Sequence, residues 1–138
     1  NMVGWNARMD SLQAEVLLNK LPFLDEHNKR RRAIATQYNG NLHRFIEIPL
    51  QNTNSIHVYH QYVIKHKNVD HISKFLLQKG IQSRRYYPTP LHKTKTYRDN
   101  GAYPNSEYCS REALAIPVHQ YLTDKNVTSI INAIKEAI

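Results

Sequence analysis

Apolar side chains recur at helical spacing in several stretches of this chain and alternate in others, and the punctuation between them is legible. Asp10 is placed to cap a helix over Ser11 to Lys20, where Leu12, Val16 and Leu18 step round the helix. Pro22 suits the first turn of a second helix, whose Phe23, Leu24, Ile34, Ala35 and Tyr38 precede an Asn39-Gly40 stop. Residues 45–56 read as an irregular crossing. Val58 to Lys65 has strand character, with Val58, His60, Tyr62 and Ile64 on one face and Tyr59, Gln61 and Val63 on the other. A helix from Asp70 to Lys79 turns Ile72, Phe75 and Leu76 inward and ends at Gly80. Ile81 to Tyr87 predicts a second strand, which Pro88 and Pro90 carry into an extended exit. A loop follows, with one helical turn near Lys95. A short helix over Ser106 to Glu112, a third strand at Leu114 to Ile116 and a last helix capped by Thr123 complete the order. The pattern predicts an α+β domain in two layers: a mainly antiparallel sheet of three to four strands packed by helices, preceded by a long N-terminal helical segment.

A length of 138 residues suits one domain with a modest core. No apolar run approaches the roughly 20 residues of a membrane span, and no secretory leader pattern opens the chain. A single cysteine, Cys109, excludes an internal disulfide framework and fits a reducing compartment. The expectation is a cytoplasmic protein. The net charge of +8 suggests an anionic partner: nucleic acid, a membrane surface or a phosphorylated ligand. The densest basic run, Lys29 to Arg32, falls mostly on the wet face of its helix. Zinc-finger spacing and RNP-like aromatic strands are lacking, which argues against nucleic acid.

The candidate chemistry is sparse. His57 and His60 leave a strand on opposite faces, and His66 and His71 lack carboxylate or thiolate companions, so no metal site is expected. Cys109 has no activating context, and the four glycines are too isolated for a phosphate loop. Asn6 and Arg8, ahead of a helix N-terminus, suit an oxyanion. Taken residue by residue, the chain has no self-sufficient active site.

Five segments in order nevertheless carry a resemblance. They are Gly4-x-Asn6-x-Arg8-Met9-Asp10-x-x-Gln13-Ala14; the stretch from Lys20-Leu21-Pro22-Phe23-Leu24-Asp25 through Asn28, Arg31-Arg32 and Ile34-Ala35 to Tyr38; Val58 to Ile64; Gly80-Ile81 through Tyr87-Pro88-Thr89-Pro90-Leu91-His92; and Leu114 to Val118. Over essentially its whole length the chain resembles the C-terminal part of the DegT/DnrJ-type sugar aminotransferases, which are pyridoxal 5'-phosphate enzymes of fold type I.

The resemblance implies that residues 1–138 are a C-terminal domain, and that the lysine bearing the cofactor lies in a large domain N-terminal to it. It implies transamination from a donor, usually glutamate, to a keto sugar carried on a nucleotide diphosphate. It also implies a homodimer in which Asn6 hydrogen-bonds the cofactor phosphate in the neighbouring subunit and Arg8 meets substrate phosphate or carboxylate. Tyr86, Tyr87 and His92 would line the sugar, with no catalytic residue in this segment; the alternatives are that the two tyrosines pack on a strand end and that His92 caps the loop. Tyr86 stands where the commoner family pattern has histidine, which weakens any acid–base role there, because a phenol does not titrate near neutral pH. A few relatives dehydrate sugars instead, a choice set outside this segment. The alternative from another class is a stand-alone basic α+β module for an anionic ligand or nucleic acid.

Overall fold

A reciprocal cap starts the first helix of the computed structural model, which describes residues 7–138. Asp10 Oδ1 accepts from the Gln13 N–H at 2.7 Å, and the Gln13 side chain accepts from the Asp10 N–H. This cap opens α1 (Ser11–Lys20), which buries none of its residues. Pro22 lies in a short 3-10 turn, Leu21–Phe23, that leads into α2 (Leu24–Leu42). Helix α2 continues past the expected stop at Gly40, because Leu42 is fully buried one turn after Tyr38. Burying a leucine is worth about 1.5–3 kcal/mol, more than the roughly 1 kcal/mol a helical glycine costs.

The basic run on α2 departs from the solvated face expected of it. Arg30 Nη2 donates to the Leu122 carbonyl and to Asp124 Oδ1 at 2.9 Å. Arg31 Nη2 donates to Gln120 Oε1 at 3.0 Å, and its Nη1 reaches the carbonyls of Tyr59 and His60, each at 3.4 Å. Half of the run therefore ties α2 to the far end of the chain.

Two regular strands form the sheet: β1 (Tyr62–Lys65) and β2 (Ala113–Ile116), antiparallel, with Tyr62 opposite Ile116 and Ile64 opposite Leu114. Single antiparallel bridges, Glu47 with Lys65 and Arg84 with Ala115, extend it at both edges. The first strand begins at Tyr62 rather than Val58, because Tyr59 adopts a left-handed φ of 46°. That residue turns the tyrosine ring into the core and leaves Val58 and His60 exposed, which breaks the expected alternation. Ile81 to Tyr87 pairs with β2 only at Arg84 and stays extended without becoming a full strand.

α3 (Val69–Gln78) ends at Gly80, whose φ of 74° lets the Ile81 N–H reach back to the Leu76 carbonyl at 2.8 Å. The expected helical turn near Lys95 is a 3-10 turn at Leu91–Lys93. α4 (Pro104–Glu112) runs directly into β2, and α5 (Asp124–Glu136) starts on a Thr123–Asn126 reciprocal cap. Ile34, Tyr38 and Leu42 of α2, Ile72 and Leu76 of α3, and Val127, Ile130 and Ile134 of α5 close over Tyr62, Ile64 and Leu114 of the sheet. Helices and sheet thus make the two expected layers. No helix among the described residues is long and apolar enough to cross a membrane.

Candidate functional site

The segment after Gly80 alternates like a strand even where it does not pair. Gln82, Arg84 and Tyr86 point outward, while Ile81, Ser83 and Arg85 are half-buried. Arg84 exchanges both backbone hydrogen bonds with Ala115, at 3.0 and 2.8 Å, so the start of the segment is held by the sheet. Arg85 points the other way. Its Nη1 donates to Asp70 Oδ1 at 2.7 Å, and its Nη2 donates to the carbonyls of Ser110 and Arg111 at the end of α4.

Beyond Arg85 the chain projects Tyr86 and Tyr87. Their rings meet edge to face with centroids 5.8 Å apart, and the Arg84 guanidinium lies 5.4 Å from the Tyr86 ring. Tyr86 is 38% exposed and Tyr87 74%, so two amphipathic side chains stand open at the surface. Tyr86 and Arg84 border an open cleft of about 1020 Å³ that also takes in Arg31, His60 and His119. With Lys79, five basic or imidazole groups and one phenol stand at this cleft against one acid, Glu136, which suits an anionic, partly ring-shaped ligand.

The turn then folds back. Pro90 is buried, Leu91–Lys93 closes one 3-10 turn, and His92 lies only 8% exposed against the Tyr103 ring, with centroids 4.7 Å apart. Its Nε2 is 3.1 Å from Glu107 Oε1, and Lys93 Nζ is 3.0 Å from Glu107 Oε2. The ammonium of Lys93 first, then His92, holds the Glu107 carboxyl below its ordinary range.

Of the residues singled out from sequence, the structure brings Tyr86, Tyr87 and His92 onto one loop and makes His92 its anchor. Arg8 is exposed ahead of α1, a helix that the described residues leave uncovered. Asn6 lies outside the described residues. Glu107, Arg84 and Arg85 were not legible as site residues. The only sequence signal at Glu107 is an acid in the first turn of a proline-started helix.

The match to known proteins runs through nearly the whole chain. Residues 1–135 match the model of the DegT/DnrJ/EryC1/StrS aminotransferase family. The chain belongs to this family. It is 33% identical to the dTDP-3-amino-3,6-dideoxy-alpha-D-galactopyranose transaminase of Aneurinibacillus thermoaerophilus, over 95% of the chain and 37% of that protein. It is 31% identical to the UDP-2-acetamido-2-deoxy-3-oxo-D-glucuronate aminotransferase of Pseudomonas aeruginosa, over 96% of the chain and 37% of the relative. Among solved structures, a family aminotransferase from Brucella abortus superposes with a TM-score of 0.90 at 33% identity, over 97% of this chain and 37% of that one. S. venezuelae DesV in complex with a ketimine intermediate also gives 0.90, at 29% identity, over 98% and 38%. The chain therefore spans little more than a third of the aminotransferases it matches.

Among the described residues Arg30, Lys65, Lys79, Arg85 and Lys93 each pair with a carboxylate. Each pair spends one cation and one anion, so the net charge of +8 remains as excess basic charge on the chain.

Proposed function

We propose that this chain is the C-terminal domain of a pyridoxal 5'-phosphate-dependent aminotransferase that moves an amino group from a donor, glutamate, to a keto sugar carried on a nucleotide diphosphate. The observation that carries the reading is the family match through almost the full length, among relatives that aminate dTDP- and UDP-linked sugars. The exposed Tyr86–Tyr87 pair beside the basic cleft adds physical support, since phenols and guanidinium groups suit a sugar and its phosphates.

The described residues do not build a cofactor cradle. Lys79, the one lysine at the cleft, is 3.0 Å from Glu136 and half-exposed, so its amine is a paired surface ammonium rather than a desolvated nucleophile. No step through the cofactor is assigned to these residues. The chain's own part in the proposal is binding and orientation: Tyr86 and Tyr87 line the sugar, Arg8 meets a substrate anion, and Asn6 contacts the cofactor phosphate of a partner subunit in a homodimer.

The test is the complete polypeptide carrying this domain, purified and supplied with glutamate and a panel of dTDP- and UDP-linked keto sugars. Formation of 2-oxoglutarate together with an amino sugar nucleotide is expected. Absence of amino transfer to every sugar in a preparation that retains pyridoxal phosphate would overturn the proposal.

A further inference from the structure

Both flanks of the exposed tyrosine turn are tied to the same helix. Upstream, Arg85 reaches the Ser110 and Arg111 carbonyls at the C-terminal end of α4. Downstream, His92 and Lys93 share the two oxygens of Glu107, in the first turn of α4. Between these ties lie six residues, of which Tyr86, Tyr87, Pro88, Thr89 and Leu91 are exposed. Apart from buried Pro90 and the contacts of the Tyr86 ring with Tyr87 and Arg84, their conformation is therefore set by the two anchors and by the fixed φ of Pro88 and Pro90. The 3-10 turn reinforces the downstream tie: Lys93 N–H donates to the Pro90 carbonyl at 2.9 Å, Thr94 N–H to Leu91 at 3.0 Å, and Asp99 N–H to His92 at 3.1 Å.

We infer that Glu107 is a positioning residue for the substrate-facing turn, acting through His92 and Lys93 to hold Tyr86 at the cleft and Tyr87 beside it. This rests on the reading of those tyrosines as sugar contacts. One carboxylate bonding two neighbouring side chains fixes the direction in which the loop leaves α4, and a charge-assisted pair holds it more firmly than a neutral one. Glu107 itself lies outside the lining of the large cleft that Tyr86 borders, so its effect on catalysis is indirect.

Two arms on the complete polypeptide separate the anchor from its use. In the first, amide hydrogen exchange is compared in wild type, Glu107→Ala and Glu107→Gln. The Lys93, Thr94 and Asp99 amides are expected to exchange about tenfold faster in Glu107→Ala, with partial recovery in Glu107→Gln, which keeps a hydrogen-bonding oxygen. Unchanged exchange overturns the anchor, whatever the enzyme does. In the second arm, the half-reactions with glutamate and with the keto sugar are followed separately. Glu107→Ala is expected to raise KM for the sugar nucleotide several-fold and leave the glutamate half-reaction at the wild-type rate. Faster exchange with wild-type sugar kinetics, or equal loss in both half-reactions, overturns the positioning role. A wild-type protein that transaminates no sugar defeats the functional reading instead, and the exchange arm still decides the anchor.

Discussion

The Tyr38 hydroxyl donates to the Pro117 carbonyl at 2.7 Å, joining the middle of α2 to the chain just past β2, 79 positions later. Tyr38 sits in the core, where its ring packs edge-on against Tyr62 with centroids 4.9 Å apart, while Pro117 is half-buried at the rim of the cleft. Burial pushes both phenols well above the usual tyrosine range, so each remains a neutral donor throughout the physiological pH span. Tyr62 uses its hydroxyl on Asn39 Oδ1, so two core tyrosines fasten one helix to the sheet.

Removing one of those hydroxyls should cost stability because a hydrogen bond is lost. Tyr38→Phe is expected to lower unfolding free energy by about 0.5–1.5 kcal/mol, the net worth of one hydrogen bond. Tyr38→Ala should lose about 3–5 kcal/mol through the cavity it leaves. Urea denaturation midpoints at constant slope decide this. A Tyr38→Phe midpoint equal to wild type would mean that water replaces the hydroxyl.

Acid should loosen the domain through named carboxylates. Lys65 and then Tyr108 depress the Glu47 carboxyl, Lys93 and then His92 depress Glu107, and Arg30 and then Gln37 depress Asp124. A carboxyl with a lowered folded-state pKa is protonated more readily in the unfolded chain. Its stabilisation is therefore complete above the unfolded-state value and is lost as pH falls through the folded-state one. Stability is expected to begin falling near the ordinary values of 4.5 for Glu and 3.8 for Asp and to keep falling below them. In Glu47→Gln the decline should be shallower. A denaturation midpoint that rises on acidification, or a slope unaltered by Glu47→Gln, would contradict this.

Tyr87 is open enough that its ring does little for the fold. In the complete enzyme, Tyr87→Ala is expected to leave the thermal midpoint within about 1 °C, since exposed substitutions stay within roughly 0.5 kcal/mol. KM for the sugar nucleotide should rise about three- to tenfold, as expected for one lost contact of 0.5–1.5 kcal/mol. Unchanged sugar kinetics in Tyr87→Ala would remove Tyr87 from the substrate wall.

Helix α1 and the turn after it present Leu12, Val16, Leu17, Leu18 and Leu21 to solvent, each at least 46% exposed. Apolar area of this extent is uncommon on monomers that stay apart. The 138-residue chain studied alone is expected to self-associate, and the double variant Leu12→Lys/Leu17→Lys should shift it toward monomer. Sedimentation across a concentration series measures both. A wild-type chain that stays monomeric at high concentration would show that α1 needs no cover.

Local signals were readable wherever they depend on neighbours in the chain. Asp10 and Thr123 cap their helices, Pro22 sits at a helix start, Gly80 ends α3 with a positive φ, and the periodic Ile34, Tyr38, Ile72 and Leu76 mark the buried faces. The ordered segments carrying the family resemblance were equally legible, because motif order is a property of the chain alone.

What escaped a linear reading depends on partners far away in sequence. The first strand starts at Tyr62 because Tyr59 turns left-handed, with Arg31 reaching its carbonyl from α2. Arg30 and Arg31 leave the solvated face because they donate to the carbonyls of Leu122, Tyr59 and His60, which the fold brings beside α2. His92 reads equally as a ligand contact or a loop cap, and its partner Glu107, fifteen residues on, is set beside it only when α4 folds back. Caps, turns and periodicity are settled within a few residues by backbone sterics and local hydrogen bonds. Which buried carbonyl takes a guanidinium, or which carboxylate takes an imidazole, is settled only when packing of the core brings distant segments within 3 Å or so and excludes the water that would otherwise compete.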